Sequence, residues 1–282
     1  MYGNQGPFYF DLSVHDIYCT IKNASTTYII PDRYYTFPVK LIEYLNDKKI
    51  NFLFWVPSAL IHIANAKILH KFKPLQLKKV LFCGEVMPNK HLNIWRKNLP
   101  EVVYVNLYGP TEAVEACTYF VIDREFQDCE PLPIGKACDN TTILVLNEND
   151  ELILPCNAYN VNSIAIESDI GELCIRGSCL ASGYYNNEEK TKEVFVQNPS
   201  NKSYSEIIYR TGDLVKYNDL GELIYLCRKD YQIKHMGYRI ELVEIEMTAY
   251  SIHSIEKNCV LNRKRQTLPT YFIKKSHAII IL

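Results

Sequence analysis

Long apolar runs, paired cysteines and an excess of either charge are all missing from this 282-residue sequence. No run reaches the roughly 18–20 apolar residues that a membrane-crossing helix needs. The opening "MYGNQGPFYFDLS" lacks the basic, apolar, small-residue order of a secretory signal, so a cytoplasmic protein without membrane insertion is expected. Lys+Arg number 31 against 32 Asp+Glu, a net charge of −1 that offers no field for nucleic acid or an anionic surface. Nucleic acid is therefore not an expected partner. The ten cysteines stand singly, with no C-x-x-C pair, and the seven histidines share no ligand spacing with them. Reduced, mostly buried thiols and no structural zinc follow as expectations. GxxxxGK[ST], GxGxxG and GxSxG are absent too, which argues against P-loop, dinucleotide-binding and serine-hydrolase chemistry.

What is present is alternation. "TFPVKLIEYLNDKK" has the pattern of a helix with Thr36 as N-cap, Pro38 in the first turn and Leu41, Ile42 and Leu45 on one face. "NFLFWV" reads as a buried strand, a helix begins near Ser58 and leads to "KVLF", and another over Pro88–Lys97 leads to "VVYVNL". Strands alternating with helices at this spacing imply crossovers and a parallel sheet from Tyr28 to Tyr108. Ligands of such sheets bind beyond the carboxyl ends of the strands. "PSAL", "CGEVMP" and "YGPTEA" stand at those ends and are expected to converge.

After about Pro131 hairpin signals take over. Turns fall at Asn147–Asp150 and Asn218–Gly221 around "TTILVL", "GELCIRG" and "LVKY…ELIYL". The segment Pro131–Leu226 reads as a mostly antiparallel β subdomain. From Asp230 a β-turn-β, a helix carrying Ile245, Ala249 and Ile252, and a strand begin a small further α+β unit, while the tail from Asn262 loses clear pattern. The fold class is therefore α/β: a partial parallel-sheet crossover region, an antiparallel β subdomain and the start of a small α+β domain.

In "YGPTEA", Gly109 and Pro110 give a tight turn whose backbone N–H groups can approach an anion, Thr111 adds a hydroxyl, and Glu112 is a carboxylate suited to Mg²⁺. The same six residues fit a helix start with an acidic first turn. "YRTGDLVKYNDLGELIYLCRKDYQIKHMGYRIE" crowds Asp213, Arg228, Asp230, Lys234 and Arg239 between apolar runs, a pattern that a solvated hairpin also fits.

The ordered series "FDLSVHDIY", "LFCGEVMP", "NLYGPTEA", "GELCIRGSCLASGYYN", "YRTGDLVKY" and "RKDYQIKHMGYRIELVEIE" resembles the amino-acid-activating adenylation domains of the acyl-adenylate-forming superfamily. These are the domains of nonribosomal peptide synthetases and of D-alanine–carrier protein ligases. The resemblance runs from about Gly3 to Leu261. It implies ATP-dependent formation of an aminoacyl-AMP, with Mg²⁺, and transfer to a phosphopantetheinylated carrier protein. It implies that Asp213 and Arg228 hold the ribose, that the Gly84–Glu85 segment and Tyr108 flank adenine, that Thr111 lies at the phosphates and that Glu112 holds the metal. Asp230 matches a hinge, and Lys234, Gly237 and Arg239 the segment that rotation about it brings to the site. Asp11 matches the acid that binds the substrate's α-ammonium; a helix N-cap from Asp11 or Ser13 is the lesser alternative.

The implied layout is a partial N-terminal adenylation domain over 1–227, with an α/β part over 1–130 and a β-rich part over 131–227, a hinge at 228–230 and an incomplete C-terminal domain over 231–282. The family's phosphate loop lies upstream of "FDLS" and its catalytic lysine near the end of the C-terminal domain. The resemblance thus implies a chain cut short at both ends, poorly soluble when alone, or a non-catalytic nucleotide- or carrier-binding remnant. The side-chain pocket falls on Leu12, His15, Leu81, Cys83, Leu107, Glu115 and Ala116. Two of these are polar, and His15 and Glu115 either pair with each other or meet a polar or cationic substrate side chain.

Overall fold

The fold is seen in a computed structural model, which describes residues 1–155, 170–230, 232–235, 238–241, 257–261 and 277–281. Apolar runs too short for helices become strands, and the amphipathic stretches between them become the crossovers that cover the sheet. In chain order these are β1 (Tyr2–Asn4), α1 (Leu12–Lys22), β2 (Thr27–Ile29), α2 (Pro38–Asp47), β3 (Phe52–Trp55), α3 (Pro57–Asn65), β4 (Lys79–Phe82), α4 (Asn89–Asn98) and β5 (Val103–Tyr108). Two further strands, β6 (Thr118–Val121) and β7 (Lys136–Ala137), complete a seven-stranded sheet in the order β2-β1-β3-β4-β5-β6-β7. The pairs from β2 through to β5 are parallel, and β6 and β7 join antiparallel.

The core lies between this sheet and its helices. Leu41, Ile42 and Leu45 of α2 are buried together with Leu53, Trp55, Leu60, Ile63, Val80, Phe82 and Trp95. Both indoles find backbone acceptors, Trp55 Nε1 donating to the Gly3 carbonyl at 2.8 Å and Trp95 Nε1 to that of Leu60 at 3.0 Å. Helix α2 starts one residue later than its sequence suggests: Phe37, not Thr36, is the N-cap, and no side chain caps the helix. Pro38 is the first helical residue, where its missing N–H and fixed φ cost nothing.

The second sheet is antiparallel. It is built from β8 (Thr141–Leu146), β9 (Gly171–Gly177), β10 (Phe195–Gln197), which follows the short helix α5 (Glu188–Val194), β11 (Ile207–Tyr217) and β12 (Leu223–Arg228). The order is β10-β11-β9-β8, with β12 on β11. The Asn218 side chain accepts from the N–H groups of Leu220 and Glu222 and closes the β11–β12 turn, while Asn147 does the same after β8 for Asn149 and Glu151. "ELIL" forms only a bridge at Leu152 rather than a full strand. The two sheets share a core in which Tyr108, Ala113, Cys117 and Ile134 meet Val145, Leu173, Ile175, Tyr209, Val215 and Leu223. Arg124 clamps Glu222 through two bonds of 2.8 and 2.6 Å across the same seam.

The chain divides into compact units at Met1–Cys227 and Arg228–Leu282. In the second, β13 (Gln232–His235) and β14 (Tyr238–Glu241) form an antiparallel hairpin. Strands β15 (Lys257–Leu261) and β16 (His277–Ile281) pair in parallel, so the patternless tail contains a strand. The helix expected around Ile245, Ala249 and Ile252, and Gly237, lie outside the described residues. The eight cysteines whose side chains are described are free, but only Cys83, Cys117 and Cys174 among them are buried, fewer than expected. Among the described residues no helix is long and apolar enough to cross a membrane.

Candidate functional site

The three strand ends do converge. The Ser58 N–H, at the start of α3, donates to Glu85 Oε2 at 2.9 Å, and the Cys83 thiol after β4 donates to the Glu115 carbonyl at 3.8 Å. Strand β5 ends in the loop that organises the site. A Cβ on Gly109 would lie 2.5 Å from the Glu115 oxygen and 2.7 Å from the Ala116 Cα, so only glycine lets the loop fold back against its own strand. That return is held by the Cys117 N–H donating to the Tyr108 carbonyl at 2.8 Å, and it sets Val114 and Glu115 in succession at positive φ, 53° and 64°. A β-branched residue in that region is a strained conformation of the kind that clusters at ligand sites. Gly84, at φ +95°, makes the corresponding turn after β4.

Asp213 reaches the site through a bulge. Pairing of β11 with β9 shifts register between Arg210 and Leu214, and within that break Gly212 takes φ +73°. Thr211 Oγ1 donates to the Leu173 carbonyl at 2.6 Å and accepts from the Asp213 N–H at 3.0 Å, while the Gly212 N–H donates to Glu172 Oε1 at 3.0 Å. Each residue of "TGD" thus has a separate job, and the outcome is a buried Asp213 carboxylate. The Tyr108 hydroxyl donates to Asp213 Oδ2 at 2.5 Å. Burial, then the Asp213 charge, pushes the Tyr108 phenol well above its ordinary range, so it stays a donor.

On the same loop the Thr111 hydroxyl donates to Asp11 Oδ2 at 2.6 Å. Asp11 stands at the N-cap position of α1 but its side chain makes no cap bond, and Ser13, whose Oγ donates to the carbonyls of Phe8 and Phe10, lies inside the helix. Glu112, buried within a 3-10 turn that starts at Thr111, accepts from the Tyr184 hydroxyl at 2.6 Å. Among the described residues no cluster of three or more His, Cys, Asp or Glu groups could hold a metal. A lone carboxylate fits Mg²⁺ only where phosphate oxygens complete the shell, the usual arrangement for a nucleotide-borne ion.

The polar pair expected in the side-chain pocket is present but unpaired. His15 stacks on Phe52 (5.3 Å, 12°) and meets Phe54 edge-on at 4.8 Å; its Nδ1 is buried without a hydrogen-bond partner, 3.8 Å from Asp16 Oδ1. Glu115 is 8% exposed. Its carboxyl accepts from the His15 backbone N–H, but Oε1 has no partner. Burial, and then the charges of Asp11 and Asp16, raise its pKa to about 9.

In the second unit the Arg228 guanidinium forks onto Asp230 with bonds of 2.7 and 2.6 Å. Burial disfavours the Asp230 charge, but the bonds and charge of Arg228 outweigh it and hold the carboxyl below its ordinary range. Lys234 is exposed on β13, opposite Arg239 of β14. Three residues without an assignment in the sequence belong to the first unit's site: Tyr184, which holds Glu112; Glu172, which holds the bulge; and Tyr225, whose ring lies 6.4 Å from that of Tyr108. A charged residue alternating into the apolar strand "GELCIRG" was the available signal for Glu172.

A family model described as AMP-binding enzyme matches residues 2–185. The chain is 31% identical over 291 residues to gramicidin S synthase 1 of Brevibacillus brevis, covering 94% of this chain and 24% of that protein. It is 30% identical over 272 residues to the D-alanine–D-alanyl carrier protein ligase of Bacillus licheniformis, covering 96% of this chain and 50% of the ligase. The structure of the Vibrio cholerae adenylation domain AlmE, in complex with glycyl-adenosine-5'-phosphate, matches with a TM-score of 0.74 and 29% identity over 90% of this chain and 45% of AlmE. The chain thus spans half or less of the length of each. It belongs to the AMP-binding enzyme family, within the adenylation group that includes peptide synthetases and D-alanine carrier protein ligases.

Proposed function

We propose that this chain binds ATP at the Tyr108–Asp213 pair and activates an amino acid as its adenylate for transfer to a phosphopantetheinylated carrier protein. The observation that carries the reading is the joint placement of Tyr108, Thr111 and Glu112 on one loop, bonded respectively to Asp213, Asp11 and Tyr184. Nucleotide and amino-acid contacts are thereby built into a single turn. The glycyl-adenylate held by AlmE supports the same assignment.

In this reading Asp213, oriented by the Tyr108 hydroxyl, accepts hydrogen bonds from the ribose hydroxyls. The Gly84–Glu85 segment flanks adenine, and Asp11 takes the substrate's α-ammonium. Thr111 turns its hydroxyl towards the phosphates, and Glu112 would hold Mg²⁺, which when bound screens phosphate charge. An oxygen of the amino-acid carboxylate attacks the α-phosphorus, and the bond from that phosphorus to the bridging oxygen of pyrophosphate breaks. The protein positions charge and forms no covalent bond of its own. Asp230 is the hinge residue, and the carrier's thiol then displaces AMP from the acyl carbon.

Amino-acid-dependent exchange of labelled pyrophosphate into ATP tests the proposal. Exchange with at least one amino acid is expected. AMP binding without exchange for any amino acid would reduce the protein to a nucleotide-binding module, and the absence of both would overturn the reading.

A further inference from the structure

The net charge of −1 hides a lopsided distribution. From Lys48 to Gly84 the sequence holds seven lysines and no acidic residue, so the rest of the chain is correspondingly acidic. Folding gathers these lysines rather than dispersing them. Strands β3 and β4 run parallel with Phe52 opposite Lys79, and the segments that precede the two strands lie side by side, at the end of the sheet away from Gly84 and Tyr108. Four hydrogen bonds fasten them. The Lys78 and Lys79 N–H groups donate to the Asn51 carbonyl at 2.9 and 3.2 Å, Asn46 Nδ2 donates to the Lys73 carbonyl at 2.9 Å, and the Leu75 N–H donates to Asn46 Oδ1 at 2.7 Å. Lys49, Lys71, Lys78 and Lys79 are exposed, and Lys48 and Lys73 half-buried. Counter-charge is sparse. Lys48 engages Asp47 at 2.7 Å, and Glu101 stands at the entry to β5, but among the described residues the other five lysines form no ion pair.

Two apolar side chains stand out from this basic ground. The loop between α3 and β4 is anchored inward by Leu69, Pro74 and Leu77, yet it presents Phe72, 39% exposed, and Leu75, 74% exposed. Asn46 holds the backbone on either side of Pro74, so Leu75 is fixed in its outward position rather than left loose. Apolar tips among lysines match an anionic lipid surface, where ammonium groups meet phosphate headgroups and the tips enter the acyl boundary. Nucleic acid fits less well, since residues 48–84 contain no arginine to fork onto phosphate or stack on a base.

We propose that this end of the first unit is a peripheral docking surface for an anionic lipid bilayer, with Lys49, Lys73, Lys78 and Lys79 on the headgroups and Phe72 and Leu75 dipping into the interface. Charge and inserted side chains act together, the pair of signals that reversible anchoring needs. The strand ends that carry Gly84 and Tyr108 then point away from the lipid and stay open to the aqueous phase.

Flotation of the full chain with phosphatidylcholine vesicles, with and without phosphatidylglycerol, tests the proposal. At about 0.05 M NaCl, binding to the anionic vesicles is expected to be at least about 10-fold tighter than to the neutral ones, and to be largely lost at about 0.5 M. K73Q/K78Q/K79Q should weaken it by at least about 10-fold, one lysine at an anionic surface being worth roughly 5-fold. L75S should weaken it by about 5-fold at the same salt, through lost apolar insertion. K190Q/K192Q, in α5, where both lysines pair with glutamates, should bind as wild type does. Urea midpoints read from Trp55 and Trp95 fluorescence separate lost contact from lost fold, and the lipid and salt dependence of wild type needs no variant. Equal flotation with both vesicle types, full binding by the triple variant or unchanged binding by L75S overturns the proposal. Tighter binding to a single-stranded RNA oligonucleotide than to anionic vesicles also overturns it, and makes the patch a nucleic-acid surface.

Discussion

Replacing Glu115 by glutamine isolates the cost of its buried carboxyl. The group's pKa rises from 4.5 to about 9, chiefly through burial and then through Asp11 and Asp16. A raised carboxyl pKa means that the folded state holds a proton the unfolded state has released, so stability falls as pH rises from about 4.5 towards about 9. Each pH unit in that window costs about 1.4 kcal/mol, so wild type loses roughly 4 kcal/mol between pH 5 and pH 8 that E115Q does not. Asp11, Asp16, His15, Cys19 and Cys83 face the site in both proteins, so the difference between them isolates Glu115. Urea unfolding followed by the fluorescence of Trp55 and Trp95, the only tryptophans and both buried in the first unit, gives the stability of the relevant core. The gap in favour of E115Q should widen steadily from pH 5 to pH 8. A gap independent of pH, or one that widens in favour of wild type, would refute the environment assigned to Glu115.

Y108F removes the 2.5 Å bond to the buried Asp213 and should cost about 1–3 kcal/mol in urea unfolding, together with weaker AMP binding by calorimetry. G109A would drive a Cβ to 2.5 Å from the Glu115 carbonyl oxygen, and because the neighbour is backbone the loop must move. Loss of soluble protein, or a fall in midpoint worth more than about 3 kcal/mol, is expected in denaturant. Removing the Arg124–Glu222 clamp, whose side chains are 35% and 20% exposed, should cost no more than about 1 kcal/mol in a double-mutant cycle.

The parallel sheet was legible because its elements are local. "PVKLIEYLND" shows a helical stripe, "NFLFW" is too short for a helix, and the order of strand and crossover then leaves little freedom. β1 was missed because three residues, "YGN", carry no period, and its place between β2 and β3 depends on long-range pairing with both. The same holds for β16, whose partner is β15 across an intervening segment. The site residues could be named from motifs, but their mutual bonds could not. Thr111 to Asp11 spans 100 positions and Tyr108 to Asp213 spans 105, and only the packed sheets bring them into reach. Asp11 keeps the N-cap position but turns its carboxylate to Thr111, and His15 meets Glu115 through its backbone N–H rather than its ring, so tertiary contacts redirect both side chains.

The most direct test of the account is whether nucleotide affinity runs through the Asp213 carboxylate to the ribose. Calorimetry compares AMP with 2′-deoxy-AMP on the wild-type chain and on D213N, which keeps an acceptor for Tyr108 but loses the charge. The account predicts that wild type binds AMP at least about 10-fold more tightly than 2′-deoxy-AMP, and that D213N binds both weakly with little difference between them, as expected for hydrogen bonds to a charged group. Full AMP affinity in a folded D213N protein, or equal binding of the two nucleotides by wild type, would contradict it.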